Sequence, residues 1–143
     1  MPTYAFTTMR DLTREERERI VESVTAIHHV EAMAPRFFVQ VIFNRVGPGA
    51  IHIGGKAAAP DHVWVRADIR SGRTSEQKAR ILHRVMQEVG EILGVAREDI
   101  WVYINDIPGE NIAEFGAILP QPGGEADWLA ALPKALREKL ETY

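Results

Sequence analysis

The chain has 143 residues, 45% of them hydrophobic, with 17 Lys and Arg against 20 Asp and Glu and no cysteine. That length suits one core without covalent staples, burying ~70% of the unfolded surface, and the lack of cysteine excludes disulfides, thiolate metal sites and cysteine nucleophiles. A net charge of −3 with both signs interspersed leaves no electrostatic footprint for nucleic acid, and no apolar run of ~18 residues or leader pattern stands out, so the expectation is a cytoplasmic protein with neither nucleic acid nor membrane as partner.

Thr3 to Thr8 reads as a strand. Thr13 and Glu16 have capping-box spacing, which predicts a helix from about Arg14 to about Met33 with Ile20, Val24 and Ile27 on its buried stripe. Pro35 bars its continuation. Phe37 to Phe43 is the strongest β run, aromatic and β-branched throughout except for Gln40. A long connector, 44–62, carries Gly47-Pro48-Gly49 and Gly54-Gly55. The pattern then recurs: Val63 to Ile69 is a strand, Thr74 and Gln77 form a second capping box, and a helix from about Ser75 to Leu93 buries Leu82, Val85, Met86, Val89 and Leu93. Gly94 stops it, and Ile100 to Ile104 closes a second βαβ unit. Pro and Gly break residues 107–124 into turns before a last helix, about Trp128 to Leu140, interrupted or started by Pro133.

The expected fold is α/β (α+β): a duplicated βαβ unit, four strands in one sheet and both helices on one face. A single domain spans 1–143, with βαβ units at 2–45 and 62–105 and a tail and C-terminal helix at 106–143. The second sheet face would carry Trp64, Phe38 and Ile42 beside charged residues, a mixture that suits burial in an oligomer.

Once Met1 is removed, Pro2 carries a secondary amine, rigidly mounted at the start of a strand. Free α-amino groups titrate near ~7.7–8.0, so modest surroundings make this one a base or an acid at neutral pH. If the two units pack antiparallel, the topology brings the end of the third strand, with Arg70, and the last turns of the first helix, with His28, to the Pro2 edge. The same topology predicts Tyr103 there too. Arg70-Ser71-Gly72-Arg73 lies between a strand end and a capped helix start, where backbone N–H groups and the helix dipole favour an anion, and two guanidinium forks there suit a small carboxylate. Each residue alone has a plainer reading: solvated turn arginines, a border histidine, a packed tyrosine and, for Glu114, an ordinary surface carboxylate. Gly54-Gly55-Lys56 lacks the leading glycine and the Ser or Thr of a phosphate loop. The five histidines show no paired ligand spacing, so no metal site is expected.

Together, the amino-terminal Pro2, His28, Arg70-Ser-Gly-Arg73, Trp101-Val-Tyr103 and Ala113-Glu114-Phe115-Gly116, followed by Leu119-Pro120-Gln121-Pro122-Gly123, resemble the cis-3-chloroacrylic acid dehalogenase branch of the tautomerase superfamily over nearly the whole chain. The resemblance implies a homotrimeric enzyme without a cofactor acting on a small carboxylate. It implies that Arg70 and Arg73, assisted by His28, bind the carboxylate; that Tyr103 and Glu114 activate water for addition to the β-carbon; and that protonated Pro2 delivers a proton to the α-carbon. A neutral Pro2 would instead run keto–enol tautomerisation of a 2-oxo acid such as phenylpyruvate. The segment from Pro2 to Leu12 is one residue shorter than the family pattern. The rival expectation is a non-catalytic, ligand-binding trimer.

Overall fold

The computed structural model describes residues 2–143; whether Met1 is retained lies outside the described residues. β1 (Thr3–Thr8) leads to α1 (Arg14–Ala32), a 19-residue helix whose first turn is closed by the Thr13–Glu16 capping box. Met33, at φ 51°, ends it in the left-handed region. β2 (Gln40–Arg45) lies parallel to β1. A small hairpin follows, β3 (His52–Ile53) and β4 (Lys56–Ala57), turned at Gly54-Gly55 with φ of 60° and 80°, both of which require glycine-like freedom in a two-residue turn. The second unit repeats the first: β5 (Val63–Arg70), α2 (Ser75–Leu93) with the Thr74–Gln77 capping box, and β6 (Ile100–Ile107), parallel to β5.

The strand order is β2-β1-β5-β6, with β1 antiparallel to β5. Two parallel βαβ units are thereby joined back to back at their first strands, as expected, and α1 and α2 pack against one another over one sheet face. Tyr4, Phe6, Val63, Val65, Ala67 and Ile69 supply the sheet's side of the core, and Ile20, Val24, Ile27, Ile81, Val85 and Val89 the helices' side. The tail adds a second hairpin, β7 (Ala113–Glu114) with β8 (Ala117–Ile118), and two short helices, α3 (Glu125–Ala131) and α4 (Lys134–Leu140), broken apart at Leu132-Pro133. Among the described residues no helix is long and apolar enough to cross a membrane.

Two expectations need correction. The strand expected to begin at Phe37 begins at Gln40, because Pro35 starts a 3-10 turn over Arg36–Phe38. This turn puts the Phe37 and Phe38 rings 4.3 Å apart and packs them with Phe115; Phe38 also meets Trp128. A pleat would have sent successive rings to opposite faces. On α2 the fully buried stripe is Ile81, Val85 and Val89 at steps of four, and Leu82 is only partly buried.

Candidate active site

The topology gathers one rim. β1 starts where β5 ends, α1 runs back along β1 to finish there, and α2 starts there. Thr3 pairs with Asp68, so Pro2, one step earlier, stands level with Ile69 and beside Arg70. Side chains two apart share a strand face, which puts Pro2 with Tyr4 on the helix side of the sheet. Pro2 is buried, and its carbonyl accepts from Gln40 N at 3.0 Å.

His28, in the last turns of α1, is 1% exposed and shares a 2.9 Å hydrogen bond between Nδ1 and Tyr4 Oη, the two rings meeting edge to face. Burial, and then the positive charge of Arg73, press its pKa down to about 3, so the ring is neutral at physiological pH. Burial raises the Tyr4 phenol well above its ordinary value, with Arg73 working the other way. The adjacent His29 turns outward and donates from Nδ1 to the Ala34 carbonyl, 2.8 Å away, as the chain reverses after α1.

The Arg70-Ser71-Gly72-Arg73 turn is the electrostatic centre. Arg73 is half-buried and donates to the Arg70 carbonyl at 3.2 Å. Burial first, and the charge of Arg70 second, lower its pKa without removing the charge. Arg70 is 2% exposed, its Nη1 donates to the Pro120 carbonyl at 2.9 Å, and its Nη2 is paired with the Glu125 carboxylate. Its Nε is buried with no partner among the described residues. The tail comes this close because residue 72 has no side chain: a Cβ there would stand 2.7 Å from Pro122 Cγ, and the φ of 111° is itself a glycine conformation.

Two cavities open on this rim. A smaller one of about 420 Å³ is lined by Pro35, Arg70, Arg73, Gln77, Pro122 and Glu125 among others. A larger one of about 750 Å³ is lined by Thr3, Phe37, Phe38, Gln40, Glu114 and Phe115 among others. Pro2 is bonded to Gln40, which lines the larger, and stands in register beside Arg70, which lines the smaller. Glu114 is half-buried in β7, just before a turn in which Phe115 holds a φ of 53°. That conformation is strained for a bulky residue, and the Phe115 ring is anchored against Phe37 and Phe38 at 6.1 and 6.0 Å. Glu114 thus projects from a turn with little freedom.

Tyr103 does not reach this rim within its own chain. It pairs with Arg66, which pairs with Ala5, so it stands two strands and three residues away from Pro2, roughly 14 Å by strand spacing. It is also on the opposite, open face, 51% exposed and edge-on to Trp64. The sequence reading ended this strand at Ile104, next to Tyr103; it runs on to Ile107, so Asn105 to Ile107 is what lies at the rim.

A family described as "Putative oxalocrotonate tautomerase enzyme" matches residues 1–131. The crystal structure of N1, a member of the cis-3-chloroacrylic acid dehalogenase family, is 42% identical, covers 99% of each chain and superposes with a TM-score of 0.95. The chain belongs to this family of tautomerases. The fold recurs more distantly in a native fused 4-OT, 21% identical over 81% of this chain and 94% of that one (TM-score 0.75), and in FG41 malonate semialdehyde decarboxylase inhibited by 3-bromopropiolate, 21% identical over 92% and 99% (TM-score 0.71). No curated protein matches.

Two residues bonded to members of this candidate site are missing from the sequence reading. Tyr4 had a usable signal, since it alternates with Phe6 toward the helices and a buried phenol needs a hydrogen-bond partner. Glu125 had none, because its partner Arg70 is 55 residues away and only the packing of the tail joins them.

Proposed function

We propose that the protein is a cofactor-free enzyme in which the freed Pro2 nitrogen acts on a small unsaturated or 2-oxo carboxylate. The observation carrying this reading is that Pro2 sits on the same rim as the buried Arg70 and His28 and the half-buried Arg73. Arg73, backed by Arg70 and neutral His28, holds the substrate carboxylate. Glu114, across the larger cavity, takes a proton from water as its oxygen bonds to the β-carbon of a cis-3-haloacrylate, and protonated Pro2 gives its proton to the α-carbon. The resulting 3-halo-3-hydroxypropanoate expels halide and a proton to leave malonate semialdehyde. General acid and general base each contribute about 10²–10⁴-fold to such a step.

Tyr103 enters this scheme only from a neighbouring copy. The open sheet face carries Ile42, Trp64, Trp101 and Tyr103, and a homotrimer closed over that face would bring one chain's Tyr103 toward another's Pro2. The related fused 4-OT proteins are described as trimers, one asymmetric and one symmetric. A second reading, keto–enol tautomerisation of phenylpyruvate with little dehalogenation, is favoured by the Phe37, Phe38 and Phe115 lining of the larger cavity, which suits an aryl group.

The deciding experiment incubates protein whose intact mass shows loss of Met1 with cis-3-chloroacrylate, propiolate and phenylpyruvate. Turnover of at least one, falling about 10²-fold or more in Pro2→Ala, is the expected result. No turnover of any, or turnover indifferent to Pro2→Ala, overturns the assignment. Glu114→Gln should suppress hydration more than tautomerisation; equal loss of both removes Glu114 as the base.

A further inference from the structure

His28 is neutral, so its ring has one N–H and one bare nitrogen, and the two tautomers are opposite things to a carboxylate. Nδ1 is taken by Tyr4 Oη at 2.9 Å, which leaves Nε2 as the nitrogen for any contact with substrate. With the proton on Nε2 the ring donates to the anion; with the proton on Nδ1 it turns a lone pair toward it. Tyr4 decides between them. It is 0% exposed, and among the described residues its hydroxyl has one hydrogen-bond partner, Nδ1. Burial keeps the phenol protonated, so that proton needs an acceptor. Were Nδ1 to carry the ring proton, it would donate to Oη and strand the phenolic O–H in the core, which costs more than an unused lone pair. With Nδ1 bare, the phenol donates to it. Nε2 is not one of the buried nitrogens left without a partner, so a proton there is not stranded in its turn. Nor can Tyr4 turn away, because its main chain is paired on both sides, with Val41 and with Ala67.

We propose that Tyr4 is a positioning residue: by donating to Nδ1 it holds His28 as the Nε2–H tautomer, so that the ring meets the substrate carboxylate as a hydrogen-bond donor. The charge of Arg73 acts on both Tyr4 and His28, which sets the pair beside the carboxylate's seat. The inference rests on the reading of His28 as part of that seat, and it accounts for how a histidine that stays uncharged assists two arginines in holding an anion.

The test is nuclear magnetic resonance of isotope-labelled, Met1-free protein at neutral pH, in which long-range proton–nitrogen correlations show which ring nitrogen is protonated. The His28 ring is recognised by its nuclear Overhauser contacts to Tyr4. A proton on Nε2 and a bare, hydrogen-bonded Nδ1 are the expected result. A proton on Nδ1, or a rapid mixture of the two tautomers, overturns the proposal, and no variant has to fold for that measurement. Calorimetric titration with propionate then separates positioning from plain support of the fold. Tyr4→Phe should weaken propionate binding about three- to tenfold, whereas in a His28→Gln background the same change should move it less than about twofold, because Tyr4 acts through His28 alone. Propionate affinity indifferent to a folded Tyr4→Phe overturns the positioning role, as does an equal loss in both backgrounds. Wild-type protein that shows the Nε2–H ring but binds no propionate fails only the proposed carboxylate seat, and the tautomer lock stands.

Discussion

At the scale of single residues, the informative groups are those that burial has made unable to ionise freely. Folded His28 gives up its proton at about 3, whereas an unfolded histidine does so near ~6.5, so the unfolded chain binds more protons across that interval. The stabilisation is complete above ~6.5 and drains away as pH falls toward 3; between pH 6.5 and 4.5 the loss should reach about 2–3 kcal/mol. Urea unfolding at several pH values measures it, and the slope over that interval should flatten in His28→Gln. Glu16, Glu31 and Glu125, whose pKa values are lowered, add their own losses only at more acid pH. Tyr4→Phe, which leaves His28 Nδ1 buried without its partner, should cost about 1–3 kcal/mol, read from the shift in urea midpoint. The sequence placed His28 on a helix border but could not weigh its burial, which comes from β1 and the arginine turn together.

At the scale of elements, the two capping threonines do the same local work in different surroundings. Thr13→Ala and Thr74→Ala should each lower stability by about 1 kcal/mol. Only Thr74→Ala should also weaken substrate binding, because Arg73 immediately precedes that cap; a KM unchanged in Thr74→Ala would separate the cap from the pocket. Helix starts were legible because each is written in four consecutive residues. The start of β2 was not: aromatic residues signal burial before they signal strand, and Phe37 and Phe38 spend their bulk on Phe115 and Trp128 in the tail. Ile81 and Leu82 are equally apolar neighbours, and only the contact of α2 with the sheet decides between them.

At the scale of the molecule, the sheet has a finished side and an unfinished one. The helices cover one face, while Ile42, Trp101 and Tyr103 are exposed on the other. The proposed trimer predicts a solution mass near 48 kDa, three times the 16.1 kDa chain, measurable by light scattering. Ile42→Asp should lower that mass and abolish hydration together; a monomeric wild-type protein that is fully active would remove the neighbour's Tyr103 from the chemistry. The duplication was legible because each half repeats the same period and the same cap. What the tail does to the rim was not, since Glu125 reaches Arg70 only after the whole chain has folded over Gly72.

The central position of β1 also has a consequence for biosynthesis. β1 is flanked on both sides, by β2 and by β5, and β5 emerges about sixty residues after it, several seconds later at ordinary rates of translation. Once both neighbours are in place Pro2 is buried, so the proposed function calls for the bond before it to be cut while the ribosome is still at work. Under the function proposed above, a cell with slow processing would accumulate well-folded, silent molecules, and a purification tag belongs at Tyr143, which is exposed.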